Sequence, residues 1–272
     1  MLQIDLRATH IPQERRVWRL FPGAGYKFLK IFLEYGVGFL DIPGFTFPSV
    51  SLSEAPDLIA RIAASQDAVT RALFGDQQRN DADEISQFLL EHAHARRTKR
   101  RSNLRTALIN FYEKAKKDDI VVIPEPKYNS QIWVGVIKSN EIVSAPFSIS
   151  ETEFRIQSRE IRWIGSFREN TISSALSDSL RTTHPFALLE RSLFVEVFSL
   201  AFGSFIYDGM KVATIYNDFG FLDSDSALLG TISRLSAAAC MALDYGMDGL
   251  GSQDIISILL FGPPKEYSSG AL

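Results

Sequence analysis

The chain has 272 residues, a formal net charge of −3 and a hydrophobic content of 46%, which are ordinary values for one or two soluble globular domains. It contains a single cysteine, Cys240, so an intrachain disulfide is excluded and a reducing, cytoplasmic location is expected. No run of about 18 uncharged apolar residues occurs, which argues against a membrane-spanning segment.

The first half of the sequence predicts alternating strands and helices. Gly36 is a natural helix stop, and Ser53 is expected to cap a later helix. In chain order the predicted elements are a strand over 16–21, a helix over 26–35, a strand over 37–42, a helix over 53–69 and a mostly helical stretch over 81–111.

After residue 117 the spacing of hydrophobic residues changes from the one typical of helices to the one typical of strands. The segments 120–124 and 131–137 read as a hairpin, and 154–165 supplies one or two further strands before a short helix over 171–180. Several short strands closed by turns predict a small β-barrel. The predicted fold class is therefore α+β, a small barrel flanked by helices over residues 1–190.

The last third differs in composition and is predicted to be a mixed α/β region over 191–272. It combines an apolar run over 193–202, a strand over 211–216 and an amphipathic helix over 224–246. From Val195 onward, three basic residues stand against nine acidic ones, a local net charge of −6. This region is expected to mediate oligomerisation or docking to an effector protein, by packing on the barrel or forming a homomeric interface. If Ser268-Ser-Gly-Ala-Leu is a boundary within a longer protein, the effector is expected outside this chain.

A basic stretch over 96–117 contrasts with the acidic end. It holds nine basic residues and one acid, Glu113, a local net charge of +8. One interpretation is a solvated helix face. The other is contact with phosphates of DNA, RNA or a nucleotide. The candidate phosphate-binding residues are Arg96, Arg97, Lys99, Arg100, Arg101 and Arg105.

The three tryptophans, Trp18, Trp133 and Trp163, each fall in a predicted strand. Core packing is the simpler interpretation of any one of them. The alternative is a ligand pocket in which a flipped or single-stranded base stacks on an indole.

Catalytic signals are weak, so the sequence favours binding over enzymatic activity. Asp119, Glu125 and Lys127 resemble the acidic and basic residues of a metal-dependent nuclease, but prolines at 124 and 126 interrupt the strand that would hold them. His92 and His94 are two apart, which is poor spacing for a metal on a helix. No catalytic residue, metal ligand or cofactor site is predicted.

Several short motifs occur in the order typical of PUA-like, EVE-like modules, which accompany restriction endonucleases and other bacterial anti-phage proteins. The chain resembles this family over about 170 residues, and departs from it at Asp118, where the family has Gly, and over 139–144, where an aromatic-rich segment is customary. The motifs are Trp18-Arg-Leu-Phe-Pro-Gly, Phe32-Leu-Glu-Tyr-Gly, Val37-Gly-Phe-Leu-Asp, Leu108-Ile-Asn-Phe-Tyr, Lys117-Asp-Asp-Ile-Val-Val-Ile-Pro, Trp133-Val-Gly-Val-Ile and Arg159-Glu-Ile-Arg-Trp-Ile-Gly.

The resemblance implies a concave aromatic pocket that reads bases and is coupled to an effector. The leading hypothesis is a non-catalytic sensor of a prokaryotic anti-phage defence system, with a PUA-like sensing module over 1–190 that binds nucleic acid or a nucleotide. The alternative is a protein-interaction subunit that binds a phage or host protein through the same module. The expected partner is a second copy of the chain or an effector protein. No association with a membrane is expected.

Overall fold

The computed structural model describes residues 2–5, 9–74, 99–125, 131–149, 151–168, 172–182, 184–212, 214–217 and 234. The chain divides into two compact units. The larger is Arg16–Phe194, and the smaller combines Met1–Arg15 with Val195–Leu272.

The described residues form both strands and helices along the chain. The strands are β1 Leu2–Asp5, β2 Thr9–Ile11, β3 Val17–Leu20, β4 Val37–Phe39, β5 Ile120–Pro124, β6 Gln131–Ile137, β7 Val143–Ile149, β8 Thr152–Arg168, β9 Phe186–Leu188, β10 Phe205–Tyr207, β11 Met210–Val212 and β12 Thr214–Asn217. The α-helices are α1 Leu29–Tyr35, α2 Leu58–Phe74, α3 Lys99–Ile109, α4 Ser174–Leu180 and α5 Phe194–Phe202. A π-helical turn, Asn110–Lys114, follows α3 directly.

The larger unit is built on one mixed, curled sheet of seven strands. Its order is β4-β8-β6-β5-β3-β9, and β7 also pairs with β8. Only β3 and β5 are parallel; the other pairs are antiparallel. β8 pairs with β7 along its first half and β6 along its second, while β4 lies on its other side. This long strand is therefore the spine of the sheet.

The sheet forms a half-barrel. Its outer strands β4 and β9 each have three residues and do not pair with each other in the described part of the chain. Short edge strands limit further pairing, which is one way proteins leave a sheet open. The α+β class is confirmed. The expected small barrel is not confirmed, because the described residues form a curled half-barrel sheet.

One face of this sheet carries the main core. Trp18, Val121, Gly135 and Trp163 are direct neighbours across β3, β5, β6 and β8, so they project to the same side. Core side chains from α1, α2 and α3 cover this face. They include Phe32, Leu58, Leu104, Ala107 and Leu108.

The start of the unit confirms the predicted strand–helix–strand pattern. Gly36 follows α1 with a φ of 62°, in the left-handed region that glycine adopts without strain, and its N–H donates to the Phe32 carbonyl. β4 begins at the next residue. The predicted helix stop is therefore a C-terminal cap that turns the chain back into the sheet.

The predicted cap at Ser53 is wrong, because α2 begins only at Leu58. Pro56 disfavours a helical conformation at the residue before it, so a turn separates Ser53 from the helix. The backbone N–H groups of Leu52 and Ser53 in that turn donate to the Glu113 carboxylate. Glu113 therefore joins the π-helical turn to the segment before α2.

Two buried arginines satisfy helix-end carbonyls in place of solvent. Arg19 donates to the carbonyl of Leu180, the last residue of α4, at 2.7 Å, and to that of His184. Arg159 on β8 donates to the carbonyls of Phe111 and Ala115 around the π-helical turn, both at 2.8 Å. Helix ends leave such carbonyls without partners, so each arginine fixes a helix end to the sheet.

The smaller unit contains two small sheets and α5. β1 pairs with β12, and β10 pairs antiparallel with β11 and parallel with β2. Phe198 of α5 packs its ring against Phe205 and Tyr207 of β10. The predicted helix over 224–246 lies outside the described residues, apart from Arg234. Within the parts of the chain that the structure describes, we find no helix with the length and hydropathy that crossing a bilayer requires.

Candidate ligand-binding site

The three tryptophans lie on the same face of the sheet but in different surroundings. Trp18 is 1% exposed, stacks on Phe186 with ring centroids 5.0 Å apart, and donates its indole N–H to Asp119 at 2.7 Å. Almost none of its surface is left for a ligand. Trp18 is a core residue.

Trp163 is half-buried and connects the sheet to α1. Its indole N–H donates to the Phe32 carbonyl at 2.6 Å. Its ring lies close over Gly135, where a Cβ atom would stand 2.7 Å from the ring. Trp163 therefore needs the glycine opposite, and its indole N–H is occupied within the protein.

Trp133 pairs with a carboxylate at one end of the β5–β6 hairpin. Its indole N–H donates to Glu125 Oε1 at 2.5 Å. The hairpin register places Ile123 directly opposite Trp133, so Glu125 is its diagonal neighbour. Both side chains of the pair keep part of their surface exposed. Trp133 is thus partly buried, like Trp163, and packs against the main core.

The second oxygen of the same carboxylate, Glu125 Oε2, is buried and has no hydrogen-bond partner among the described residues. A buried polar atom without a partner costs about 1–3 kcal/mol, and more for charged groups. Such atoms are rare in folded proteins, and a functional explanation is worth seeking for each. The Glu125–Trp133 pair is therefore the strongest candidate site on the sheet.

The nuclease alternative does not fit the positions of its acidic residues. Asp119 precedes β5 and Glu125 follows it, so they lie at opposite ends of a five-residue strand, roughly 20 Å apart at a rise of about 3.3 Å per residue. Asp119 is buried and accepts hydrogen bonds from the Trp18 indole and from the backbone N–H groups of Arg16 and Lys116. The two carboxylates cannot hold one metal ion. Lys127 lies outside the described residues.

The basic residues of α3 form the second candidate region, which we call the basic segment, Lys99–Arg105. Its buried neighbours on the helix, Leu104 and Leu108, face the core, and Lys99 and Arg100 are exposed. Arg101 donates to the Gln66 side chain and Arg105 to the Ser53 carbonyl, so both also tie α3 to the α2 region. Arg96 and Arg97 lie outside the described residues.

The helix α3 itself carries no carboxylate. No acidic residue occurs from Lys99 to Tyr112, and both oxygens of Glu113 accept backbone N–H groups of the turn before α2. Neither Lys99 nor Arg100 pairs with a carboxylate in the described part of the chain. Among the described residues, these two exposed charges are therefore the candidates to attract an anion.

The sequence predicts the basic segment and Trp133 as binding residues, which stays a prediction. It gives no sign of the contacts of Glu125 or of the buried Arg19 and Arg159. The Glu125–Trp133 contact follows from the hairpin register, once that register is known. Burial lowers the pKa of Arg19 to about 10 and also lowers the pKa of Arg159. Both arginines remain charged at neutral pH, and their hydrogen bonds to carbonyls mark them as structural.

Among the described residues, no group of three or more histidine, cysteine or acidic side chains is arranged to hold a metal ion. Comparison of the chain with protein-family models, with curated proteins and with solved structures found no match.

Proposed function

We propose that the larger unit is a non-catalytic module that binds nucleic acid or a nucleotide, and that the protein is a sensor in a prokaryotic anti-phage defence system. The defence role and the PUA-like assignment come from the sequence resemblance alone. The binding role has support from the charges of the basic segment.

The observation that carries the binding role is the pair of exposed cations Lys99 and Arg100. They occupy one end of α3 without carboxylate partners in the described residues, next to Arg101. Cations near a phosphate backbone release counterions and add affinity that does not depend on sequence. A solvated helix face would more often carry acids as well as bases.

The experiment is a salt titration of binding to fluorescent single-stranded DNA and RNA oligonucleotides, followed by anisotropy. Affinity is expected to fall steeply as KCl rises. The double variant Lys99→Gln/Arg100→Gln should weaken binding at low salt and reduce the slope of log K against log [KCl] by about 0.7 per cation removed.

A charge-matched control distinguishes local contact from overall charge. Arg155 and Arg162 are exposed on β8, and Arg155→Gln/Arg162→Gln removes the same two charges from the sheet. This control should leave the slope unchanged. Absence of binding at the lowest salt, or an equal effect from both double variants, would contradict the proposal.

The second candidate, a protein-interaction subunit, has one observation in its favour. Val143, the first residue of the edge strand β7, is 55% exposed, and Ile142 just before it is 39% exposed. In the described residues β7 pairs only with β8, so its other side is available to a partner strand. A stoichiometric protein partner recovered from infected cells, lost on Val143→Lys and with no nucleotide released on denaturation, would favour this candidate.

A further inference from the structure

One face of α3 and of the π-helical turn after it is polar along its whole length. The turn continues α3 without a break, since Ile109 at the junction has helical backbone angles, with φ −59° and ψ −45°. At 3.6 residues per turn, residues three or four apart share a face of a helix. The residues that share this face, which we call the polar strip, are Lys99, Asn103, Thr106, Asn110 and Lys114.

The polar strip is open to solvent, whereas the opposite face of the same helix is buried. Lys99, Thr106 and Lys114 are exposed, and Asn103 and Asn110 are partly exposed. The core therefore uses none of these five side chains. The residues of this element that the core does bury include Leu104, Ala107, Leu108 and Phe111.

The side chains between the two lysines can both donate and accept hydrogen bonds. Within the described residues, the side-chain amides of Asn103 and Asn110 have no hydrogen-bond partner. The Thr106 hydroxyl donates to the Ser102 carbonyl at 3.1 Å, which leaves its oxygen as an acceptor. Amide and hydroxyl side chains contact the phosphates and sugars of nucleic acids together with lysine and arginine.

Both ends of the polar strip are cationic. Arg100 is exposed beside Lys99, and Lys117 is exposed shortly after Lys114. Neither Lys114 nor Lys117 pairs with a carboxylate in the described residues, and the carboxylate of Glu113 accepts backbone N–H groups of the turn before α2. A solvated helix face is typically laced with acids four residues from its bases, which this face lacks.

The distance between the two cationic ends indicates the size of the anion that can use both. Lys114 follows Lys99 by 15 residues, which corresponds to about 22 Å at 1.5 Å per residue. Successive phosphates of a stacked strand are about 3.4 Å apart, so the two ends span about six phosphates. The phosphate group of a mononucleotide reaches only one end.

The packing of α3 favours a single strand over a duplex. α2 lies beside α3, where Arg101 donates to the Gln66 side chain and Arg105 donates to the Ser53 carbonyl. A helix with its side chains is about 10–12 Å across, and the major groove of B-DNA is about 12 Å wide. The groove admits one helix, so α3 with α2 beside it does not fit, whereas a single strand can lie along the polar strip.

We propose that the polar strip binds the backbone of a single-stranded polynucleotide about six nucleotides long or longer. The lysines at its two ends contact phosphates, and Asn103, Thr106 and Asn110 contact the phosphates and sugars between them. This inference rests on the proposed nucleic-acid binding, and it assigns a strand, in place of a nucleotide, to that function.

The first test is a length series. Fluorescent oligo(dT) and oligo(U) of 2 to 12 nucleotides are titrated at 50 mM KCl and followed by anisotropy. Affinity is expected to rise at least about tenfold between three and eight nucleotides and then to level off, because the second cationic end is engaged without a second association step. A trinucleotide that binds as tightly as the octamer, or a duplex of the same length that binds more tightly, would overturn the proposal.

The second test removes the cation at the far end of the polar strip. Lys114→Gln should reduce the slope of log K against log [KCl] for the octamer by about 0.7. Lys30→Gln is the charge-matched control, because Lys30 is an exposed lysine on α1, and it should leave the slope unchanged. An octamer slope that Lys114→Gln does not change would overturn the proposal.

The third test concerns the uncharged side chains. Asn103→Ala and Thr106→Val should each weaken octamer binding about two- to tenfold through loss of a hydrogen bond, with no change in the salt slope, because no charge is removed. Ser148→Ala is the control, since Ser148 is exposed on β7, and it should bind like the wild-type protein. Thermal unfolding checks that each variant folds. Octamer affinities that are equal in Asn103→Ala, Thr106→Val and Ser148→Ala would overturn these contacts.

Failure of this inference is distinguishable from failure of the proposed function. Octamer binding that weakens in Lys99→Gln/Arg100→Gln, but depends neither on strand length nor on Lys114, would overturn the polar strip and leave the binding role of the basic segment standing. Absence of binding at every length would overturn both.

Discussion

At the scale of single residues, Asp119 organises one end of the β3–β5 pair. Its buried carboxylate accepts three hydrogen bonds, from the Trp18 indole and from two backbone N–H groups. Hydrogen bonds to a charged acceptor are the stronger ones, and leaving a buried donor without a partner is costly. The residue that the sequence offered as a candidate metal ligand is thus a structural anchor of the core tryptophan.

We predict that Asp119→Asn lowers the free energy of unfolding by roughly 1.5–3 kcal/mol, because the new NH₂ group faces donors. Urea denaturation followed by tryptophan fluorescence measures the change. Asp178→Asn is the control, since its side chain is 75% exposed and pairs with Arg181 at the surface; a change within about 0.5 kcal/mol is expected there. Equal effects of the two substitutions would show that Asp119 has no special role.

His184 predicts a pH dependence of stability. Burial lowers its pKa below the ordinary 6.5, and the nearby Arg19 acts in the same direction, against an opposing hydrogen bond to the Phe186 backbone. The folded state then disfavours the imidazolium, so the unfolded chain binds more protons. Stability is expected to be full above about pH 6.5 and to decline as the pH falls below it.

The measurement is the urea midpoint of the wild-type protein and of His184→Gln over this acidic range. The variant cannot titrate, and its backbone carbonyl still accepts from Arg19. Its midpoint should therefore fall less on acidification than that of the wild-type protein. Parallel pH profiles would show that His184 is not the group responsible.

At the scale of elements, the β6–β8 pairing depends on close packing over one glycine. A Cβ atom at Gly135 would stand 2.7 Å from both the Trp163 ring and the Ile161 side chain. The β6–β8 pairing also shifts register between Val134 and Gly135, where Ile164 of β8 is skipped, and this bulge places Trp163 opposite Gly135. The close approach of Trp163 and Ile161 to Gly135 therefore determines how side chains pack on the inner face of the sheet.

We predict that Gly135→Ala destabilises the protein by about 1–3 kcal/mol through overpacking and alters Trp163 fluorescence. Gly165→Ala is the control on the neighbouring strand, because nothing lies within 4 Å of its Cβ position. That substitution should change stability by no more than roughly 0.5 kcal/mol. Thermal unfolding of both variants measures the change in stability. A Gly135→Ala protein as stable as the wild-type protein would contradict the close packing over Gly135.

Much of the element pattern was predictable, because α1, β3 and the β5–β6 hairpin each combine a clear hydrophobic period with a stop residue such as Gly36. β7 was missed because its residues alternate at the surface and include Pro146, which is typical of an edge strand. β9 has only three residues and is defined by its pairing with β3.

The candidate site was only partly predictable for a related reason. A tryptophan in a strand can either pack in the core or line a ligand pocket. Which of the two it does depends on its tertiary contacts. Trp18 is enclosed by Phe186, whose position depends on β9, whereas Trp133 has the small Ser166 beside it. The unused oxygen of Glu125 is likewise a property of three-dimensional packing.

At the scale of the whole molecule, the central claim is that a chain with a net charge of −3 still binds a polyanion, because its charges are unevenly distributed. The larger unit carries the exposed cations of the basic segment together with the Glu125–Trp133 pair. The residues from Val195 onward have a local net charge of −6. We expect nucleic acid to contact the larger unit at Lys99 and its neighbours.

Lysine footprinting tests this claim most directly. The protein is acetylated with and without a saturating single-stranded RNA oligonucleotide, and modification is read at each lysine by mass spectrometry. The account predicts protection of Lys99, with no protection of the exposed Lys30 on α1 or of Lys138 after β6. Bound RNA that leaves Lys99 as reactive as in the free protein, or that protects Lys30 instead, would contradict it.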